Sequence, residues 1–176
     1  TNKFIGLRRE AFDDFPEGER LRDRAREIKE ATLQHLDRHL EQLCDNVERL
    51  GGTVHFAATP EEARAIILDI ARRTGARMAV KSKSMATEEI DLNEALERAG
   101  VTPVETDLGE YIIQLAHERP SHIIAPAIHK TRGQVADLFA RELGRQVAAD
   151  PEVLTKIARA ELREKFLQAD LGITGA

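Results

Sequence analysis

From Glu17 to Leu50, apolar residues recur every three or four positions, at Leu21, Ala25, Ile28, Leu36, Leu40, Leu43, Val47 and Leu50. That spacing predicts one long amphipathic helix, with Pro16 suited to its first turn and Gly51-Gly52 as its stop. Residues 1–16 scatter Phe4, Ile5, Leu7, Phe12 and Phe15 among charges and read as an irregular docking arm. Beyond Gly52 the period changes. Short apolar runs at 53–57, 77–81, 101–106 and 122–127 read as strands, each followed by a helical pattern. Thr59-Pro60-Glu61-Glu62 opens the first of these helices, and Ala63, Ile66, Ile67 and Ile70 form its buried stripe up to Gly75. A helix over 88–99 stops at Gly100, and Asp107 with Glu110 is a capping pair for a short helix. In that short helix Tyr111 falls on the apolar face, a core position. Thr131 opens a helix that buries Val135, Leu138 and Phe139 and ends at Gly144. Asp150-Pro151 starts the last helix, through about Ala169, and Gly172 and Gly175 leave an open-ended tail.

Strands alternating with helices imply right-handed βαβ units and a parallel sheet with helices on its faces, an α/β fold. The domain reading is an arm over 1–16, a helix over 17–52 and an α/β domain over 53–176. In such sheets ligands bind beyond the carboxyl ends of the strands. Three polar clusters fall there: Lys81-Ser82-Lys83-Ser84, Glu105 to Tyr111, and His129-Lys130. They are expected to meet at one edge.

Each cluster has its own chemistry. On an extended chain Lys81 and Lys83 point the same way, and with Ser82, Ser84 and Lys130 they form a candidate site for a carboxylate or phosphate. Glu105, Asp107 and Glu110 crowd three carboxyls, an arrangement that drives pKa values apart and suits acid/base work. His129 adds a group able to move a proton near neutral pH. The catalytic candidates are His129, Glu110 and Asp107. A solvated loop is the competing reading for the lysines, and a helix cap for Asp107.

Composition narrows the classes. Hydrophobic residues make up 41% and charged residues 32% of the 176 residues, with a formal net charge of −5, which argues against general nucleic-acid binding. No run approaches the length of a membrane span, and no signal-peptide pattern opens the chain. A cytoplasmic protein is the expectation. Cys44 is the single cysteine, so neither a disulfide framework nor an iron–sulfur cluster is expected in this chain, and no metal site is assigned. His35 and His39 stand four apart among polar residues and read as a solvated face. Neither GxGxxG nor a P-loop is present.

Val80-Lys-Ser-Lys-Ser-Met85, Glu88-Glu-Ile90, Glu105-Thr-Asp-Leu-Gly-Glu-Tyr-Ile112 and Ser121-His-Ile-Ile-Ala-Pro-Ala-Ile-His-Lys130 resemble the lactate-utilisation protein B family. Glu41-Gln-Leu-Cys-Asp-Asn-Val47 followed by Gly51-Gly52 resembles it as well, so the resemblance covers nearly the whole chain. It implies an amino-terminal fragment carrying a LUD domain of the NagB/RpiA/CoA-transferase-like fold, a three-layer parallel α/β sandwich. It also implies an iron–sulfur oxidoreductase subunit in electron transport, acting with two partner proteins in oxidation of L-lactate to pyruvate. The [4Fe–4S] clusters belong to a carboxyl-terminal region of the full-length family, so the fragment alone is expected to be inactive. A partial domain with an apolar helix is expected to self-associate. Two other readings remain open: an isomerase or CoA/acyl transferase of the same fold, with Glu105 or Glu110 as base or nucleophile, and a non-catalytic assembly module.

Overall fold

Three parallel strands organise the carboxyl-terminal part of the computed structural model, which describes residues 2–144 and 146–175. Thr1 and Ala176, the outer ends of the expected arm and tail, lie outside the described residues. The chain divides into two compact units between His55 and Phe56.

The first unit is helical: α1 (Asn2–Asp13), α2 (Gly18–Gln34) and α3 (Leu36–Arg49). The arm is therefore a helix, ended where Gly18 packs against Phe12 and Phe15. Arg8 and Arg22 stack over the Phe12 ring at 4.7 and 5.9 Å. The single long helix is broken at His35 (φ −125°, ψ 29°). There the Thr32 hydroxyl takes Ile28 O and the His35 amide bonds back to Thr32 O, which tightens the turn early. Gly18 is the one buried position among this unit's described residues, and the stripe at Leu21, Ile28, Leu36, Leu40 and Leu43 is exposed.

The second unit contains α4 (Pro60–Thr74), β1 (Met78–Lys81), α5 (Met85–Glu89), α6 (Leu92–Arg98), β2 (Thr102–Glu105), α7 (Leu108–Leu115), α8 (Arg132–Leu143), α9 (Pro151–Gln168) and β3 (Leu171–Ile173). The strand order is β2-β1-β3, all parallel, with Val80 opposite Val104 and Lys81 opposite Glu105. Alternation along β1 sends Val80 to one face and Ala79 to the other. Val80 and Val104 pack with Tyr111, Val135, Phe139, Leu154 and Leu162 from α7, α8 and α9. Ala79 packs with Ala71, Leu92 and Leu96 from α4 and α6. A helical layer on each face gives the expected three-layer α/β architecture. Tyr111 is a core residue, tilted at 56° against Phe139 with ring centroids 6.4 Å apart. Burying Leu92 and Phe139, both 0% exposed, contributes about 1.5–3 kcal/mol each.

Local chemistry explains the boundaries. Thr59 caps α4 with Pro60 in its first turn, and Thr131 with Gln134 forms a full capping box for α8. The helix expected over 88–99 is two short helices. Asp91 adopts the left-handed conformation (φ 48°), and Arg64 Nη1 donates to Ile90 O at 2.8 Å, which ends α5.

Two strand assignments need correction, and one strand lies where a tail was expected. Residues 53–57 are irregular, and both sides of β1 are taken, by β2 and β3. Residues 122–127 form turns, because His122 Nδ1 accepts from the amides of Ile124 and Ala125 and Ser121 N donates to Pro126 O. Donors bound by a side chain are withdrawn from a ladder. The tail supplies β3 instead. Asp170 Oδ2 accepts from the amides of Arg77 and Met78, which aligns Leu171 beside Ala79.

Candidate functional site

Lys81 and Glu105 are the last residues of β1 and β2, so their register places both side chains on one face at the carboxyl edge of the sheet. Lys81 Nζ donates to Glu105 Oε1 at 2.7 Å and to Asn93 Oδ1 at 2.6 Å, and Asn93 Nδ2 donates to the same Glu105 oxygen at 2.8 Å. Lys81 is 1% exposed and Glu105 7%. A buried ion pair persists only with such supplementary hydrogen bonds.

Lys83, just beyond β1, reaches Glu110 of α7 at 2.5 Å. Asp107 is the cap of α7, accepting from the amides of Gly109 and Glu110. The expected Asp107–Glu110 capping pair is thus one-sided, which leaves the Glu110 carboxylate for Lys83. Ser84 caps α5, and the Ser82 amide extends the β1–β3 pairing to Ile173 O.

His129 Nε2 lies 2.8 Å from Glu118 Oε2, His129 Nδ1 lies 2.8 Å from Ser121 Oγ, and Lys130 Nζ donates to Glu118 Oε1 at 2.6 Å. These contacts with Lys130 first, then His129, hold the Glu118 carboxyl below its ordinary value. Serine, histidine and glutamate in a row match the components of a nucleophilic triad. Here, however, the single hydroxyl proton of Ser121 is directed at Pro126 O, 2.9 Å away. His129 Nδ1–H then donates to Ser121 Oγ, and the row orders the loop without activating Ser121. Gly109 lets this loop close, since a Cβ there would lie 2.8 Å from Pro126.

These elements surround a cleft of roughly 730 Å³. Lys81 and Glu110 line it directly. Lys83 reaches it through Glu110, and His129 and Lys130 through Glu118. Asp107, Ser82 and Ser84 serve the backbone beside it. The two strand-end lysines are held by internal carboxylates, so neither presents a free ammonium. The lining residues that sequence reasoning missed include Glu88, Asp91, Asn93, Glu94, Gln114, Glu118 and Arg119. Asn93 and Gln114 face inward from helices at positions that periodicity assigns only as polar. Glu88 falls in a stretch that carries the family resemblance, which gives it no role, and nothing in sequence separates Arg119 from other charged surface residues. Arg119 makes no hydrogen bond or ion pair with the described residues. Burial first, then the Glu110 carboxylate, holds Glu88 above its ordinary value of 4.5.

Cys44 on α3 is half-buried, and one thiol does not meet the four that an iron–sulfur cluster takes. Among the described residues no group of three His, Cys, Asp or Glu is disposed to hold a metal ion, and no helix is long and apolar enough to cross a membrane.

A three-layer parallel α/β domain with a charged cleft beyond its strand ends is the class that fold and site define. The chain belongs to the LUD-domain family, whose model matches residues 40–176. It is 49% identical over 168 residues to Lactate utilization protein B of Bacillus thuringiensis (strain Al Hakam), of Bacillus cereus (strain AH187) and of Bacillus anthracis (strain CDC 684 / NRRL 3495). Each alignment takes in 96% of this chain and 36% of the relative, so the chain spans about a third of the length of these proteins. No solved structure matches it.

Proposed function

We propose that this chain is the LUD-domain part of an iron–sulfur oxidoreductase subunit that takes part in oxidising L-lactate to pyruvate, together with two partner lactate-utilisation proteins. The cleft beyond β1 and β2 takes the small carboxylate. The [4Fe–4S] clusters belong to the rest of the full-length protein, because this chain's donor set does not fit them. The substrate class is supported by the name that relatives aligned along 96% of the chain carry.

One observation carries the site reading. Arg119, an exposed residue, lines the cleft without a partner among the described residues, while Lys81 and Lys83 are neutralised by Glu105 and Glu110. A free guanidinium is suited to bidentate recognition of a carboxylate. The surrounding carboxylates of Asp91, Glu94 and Glu118 offer acceptors for a hydroxyl and oppose a dianionic phosphate. Lactate, a monoanion with a hydroxyl beside its carboxylate, suits that balance better than a phosphosugar.

Calorimetry of the chain with L-lactate and pyruvate tests the reading. Replacing Arg119 with Ala should weaken binding about ten- to a hundred-fold, the value of a charge-assisted contact worth roughly 1.5–3 kcal/mol. Binding of a phosphosugar or a CoA thioester, with none of lactate or pyruvate, would sink it in favour of an isomerase or transferase.

A further inference from the structure

Lys81 of β1, Glu88 of α5, Glu105 of β2 and Glu110 of α7 line the cleft together, and Lys83, beyond β1, joins them through Glu110. Two of the carboxylates are claimed. Glu105 is held by Lys81 and Asn93, and Glu110 by Lys83. Glu88 is the member left over. It lines the same cleft as Lys81, Glu105 and Glu110 and is partly buried, and its carboxylate makes no hydrogen bond or ion pair with the described residues. With all three acids ionised these five groups carry one negative charge in excess, and the cleft's other charges do not cancel it: Glu94 is paired with Arg98 and Glu118 with Lys130, which leaves Asp91 and Glu97 against Arg119. A proton relieves the excess, and the two carboxylates already bonded to ammonium groups are the poorer places for it.

We propose that Glu88 is the proton-carrying residue of the cleft, a carboxyl that gives a proton to, or takes one from, an oxygen of the bound 2-hydroxy or 2-oxo acid. This assignment of a role to the bound acid rests on the cleft reading given under Proposed function. Glu88's part is the proton alone: as the 2-hydroxy acid is oxidised its hydroxyl O–H bond breaks and the Glu88 carboxylate takes the proton, and in the reverse direction the neutral acid returns it to the 2-oxo oxygen. Position and charge balance supply the argument, and the electrostatics agree. Burial and the Glu110 and Glu105 carboxylates favour the neutral acid, and Lys83 and Lys81 oppose it without reversing the direction. A carboxyl raised toward working pH is better suited to give and take a proton than an ordinary one.

The test needs no ligand at first. In protein labelled with ¹³C at glutamate carboxyls, one resonance should titrate above the ordinary glutamate range, and it should be missing from Glu88→Gln. Glu88→Gln keeps the shape of the side chain, and a thermal melt establishes that it folds. Lys83→Met should move the midpoint further up, because it removes an opposing cation. Glu110→Gln should move it down, because it removes a like charge and frees Lys83. If every glutamate titrates in the ordinary range, or the raised resonance survives Glu88→Gln, the assignment is overturned. Midpoints unmoved by both neighbour variants would overturn the cluster argument. With pyruvate as the probe, binding enthalpies in two buffers of different ionisation heat should diverge for the parent chain and coincide for Glu88→Gln. Failure of lactate and pyruvate to bind counts against the cleft reading, while the titration alone still decides where the proton sits.

Discussion

Lys81 and Glu105 are register partners across the β1–β2 ladder, and their side chains meet at 2.7 Å with both groups almost wholly out of water. Removing one partner strands the other as a buried charge. Lys81→Met is expected to cost about 3–5 kcal/mol, whereas the paired replacement Lys81→Met with Glu105→Leu should recover most of that. Thermal and urea melts of the three proteins check this. A single variant that melts with the parent chain would mean that the pair is not desolvated.

The outer edge of β2 shows a second use of side-chain amides. Gln114 Oε1 accepts from the Glu105 amide at 3.0 Å, and Gln114 Nε2 donates to Pro103 O at 2.8 Å. One side chain on α7 thus meets two backbone groups where a neighbouring parallel strand would otherwise bond. Pro103 has no donor to offer, so the edge is closed to strand addition. Gln114→Ala should leave the Glu105 amide unbonded and destabilise by about 1–3 kcal/mol. Hydrogen exchange at Glu105 should accelerate in step. Unchanged exchange at that amide would show that Gln114 does not hold the edge.

Caps and stops were legible in sequence because they depend on neighbours a few residues away. Thr59, Asp107, Thr131 and Asp150 each bond an amide two or three positions on, and Gly75 and Gly144 take the left-handed conformation their helix ends require. The two strands at 78–81 and 102–105 were legible as apolar runs. The misassignments came from longer-range competition. Residues 122–127 have a strand's composition, but the His122 ring takes their amides. Residues 171–173 look like a tail, yet Asp170 pins them to β1 through a contact 92 residues away in sequence. The clustering of charge at the strand ends was also legible. Which charges cancel was not, since Lys83 finds Glu110 27 residues on and Lys81 finds Asn93 12 residues on.

The Asp170 anchor should make β3 sensitive to acid. The amides of Arg77, then Met78, hold its carboxyl below the ordinary value of 3.8. A depressed carboxyl contributes stability that is fully present above its unfolded value and is lost as pH falls through the folded one. Between pH 7 and 5 the contribution should therefore be flat. Below about 3.8 it should fade, with the β3 amides exchanging faster before α8 and α9 do. Asp170→Asn should remove this dependence. Exchange at Gly172 that stays slow down to pH 2.5 would contradict the anchor.

The apolar stripe of the first unit carries the last prediction. Leu36, Leu40, Leu43, Val47 and Leu50 follow alternating steps of four and three, the spacing of a helix seam, and α3 buries none of its residues. Leu43 is 56% and Leu50 78% exposed, Leu36 and Leu40 are exposed too, and only Val47 is half-buried, so most of the seam faces water. Exposed apolar surface arranged in this way drives association between helices. Light scattering over a concentration series should show the chain associating, and Leu40→Glu with Leu43→Glu should shift it toward monomer. Because α3 contributes no buried residue, the same double variant should leave the melting of the α/β unit within about 0.5 kcal/mol of the parent. A strict monomer at high concentration, or association that survives both glutamates, would place the contact elsewhere on the chain.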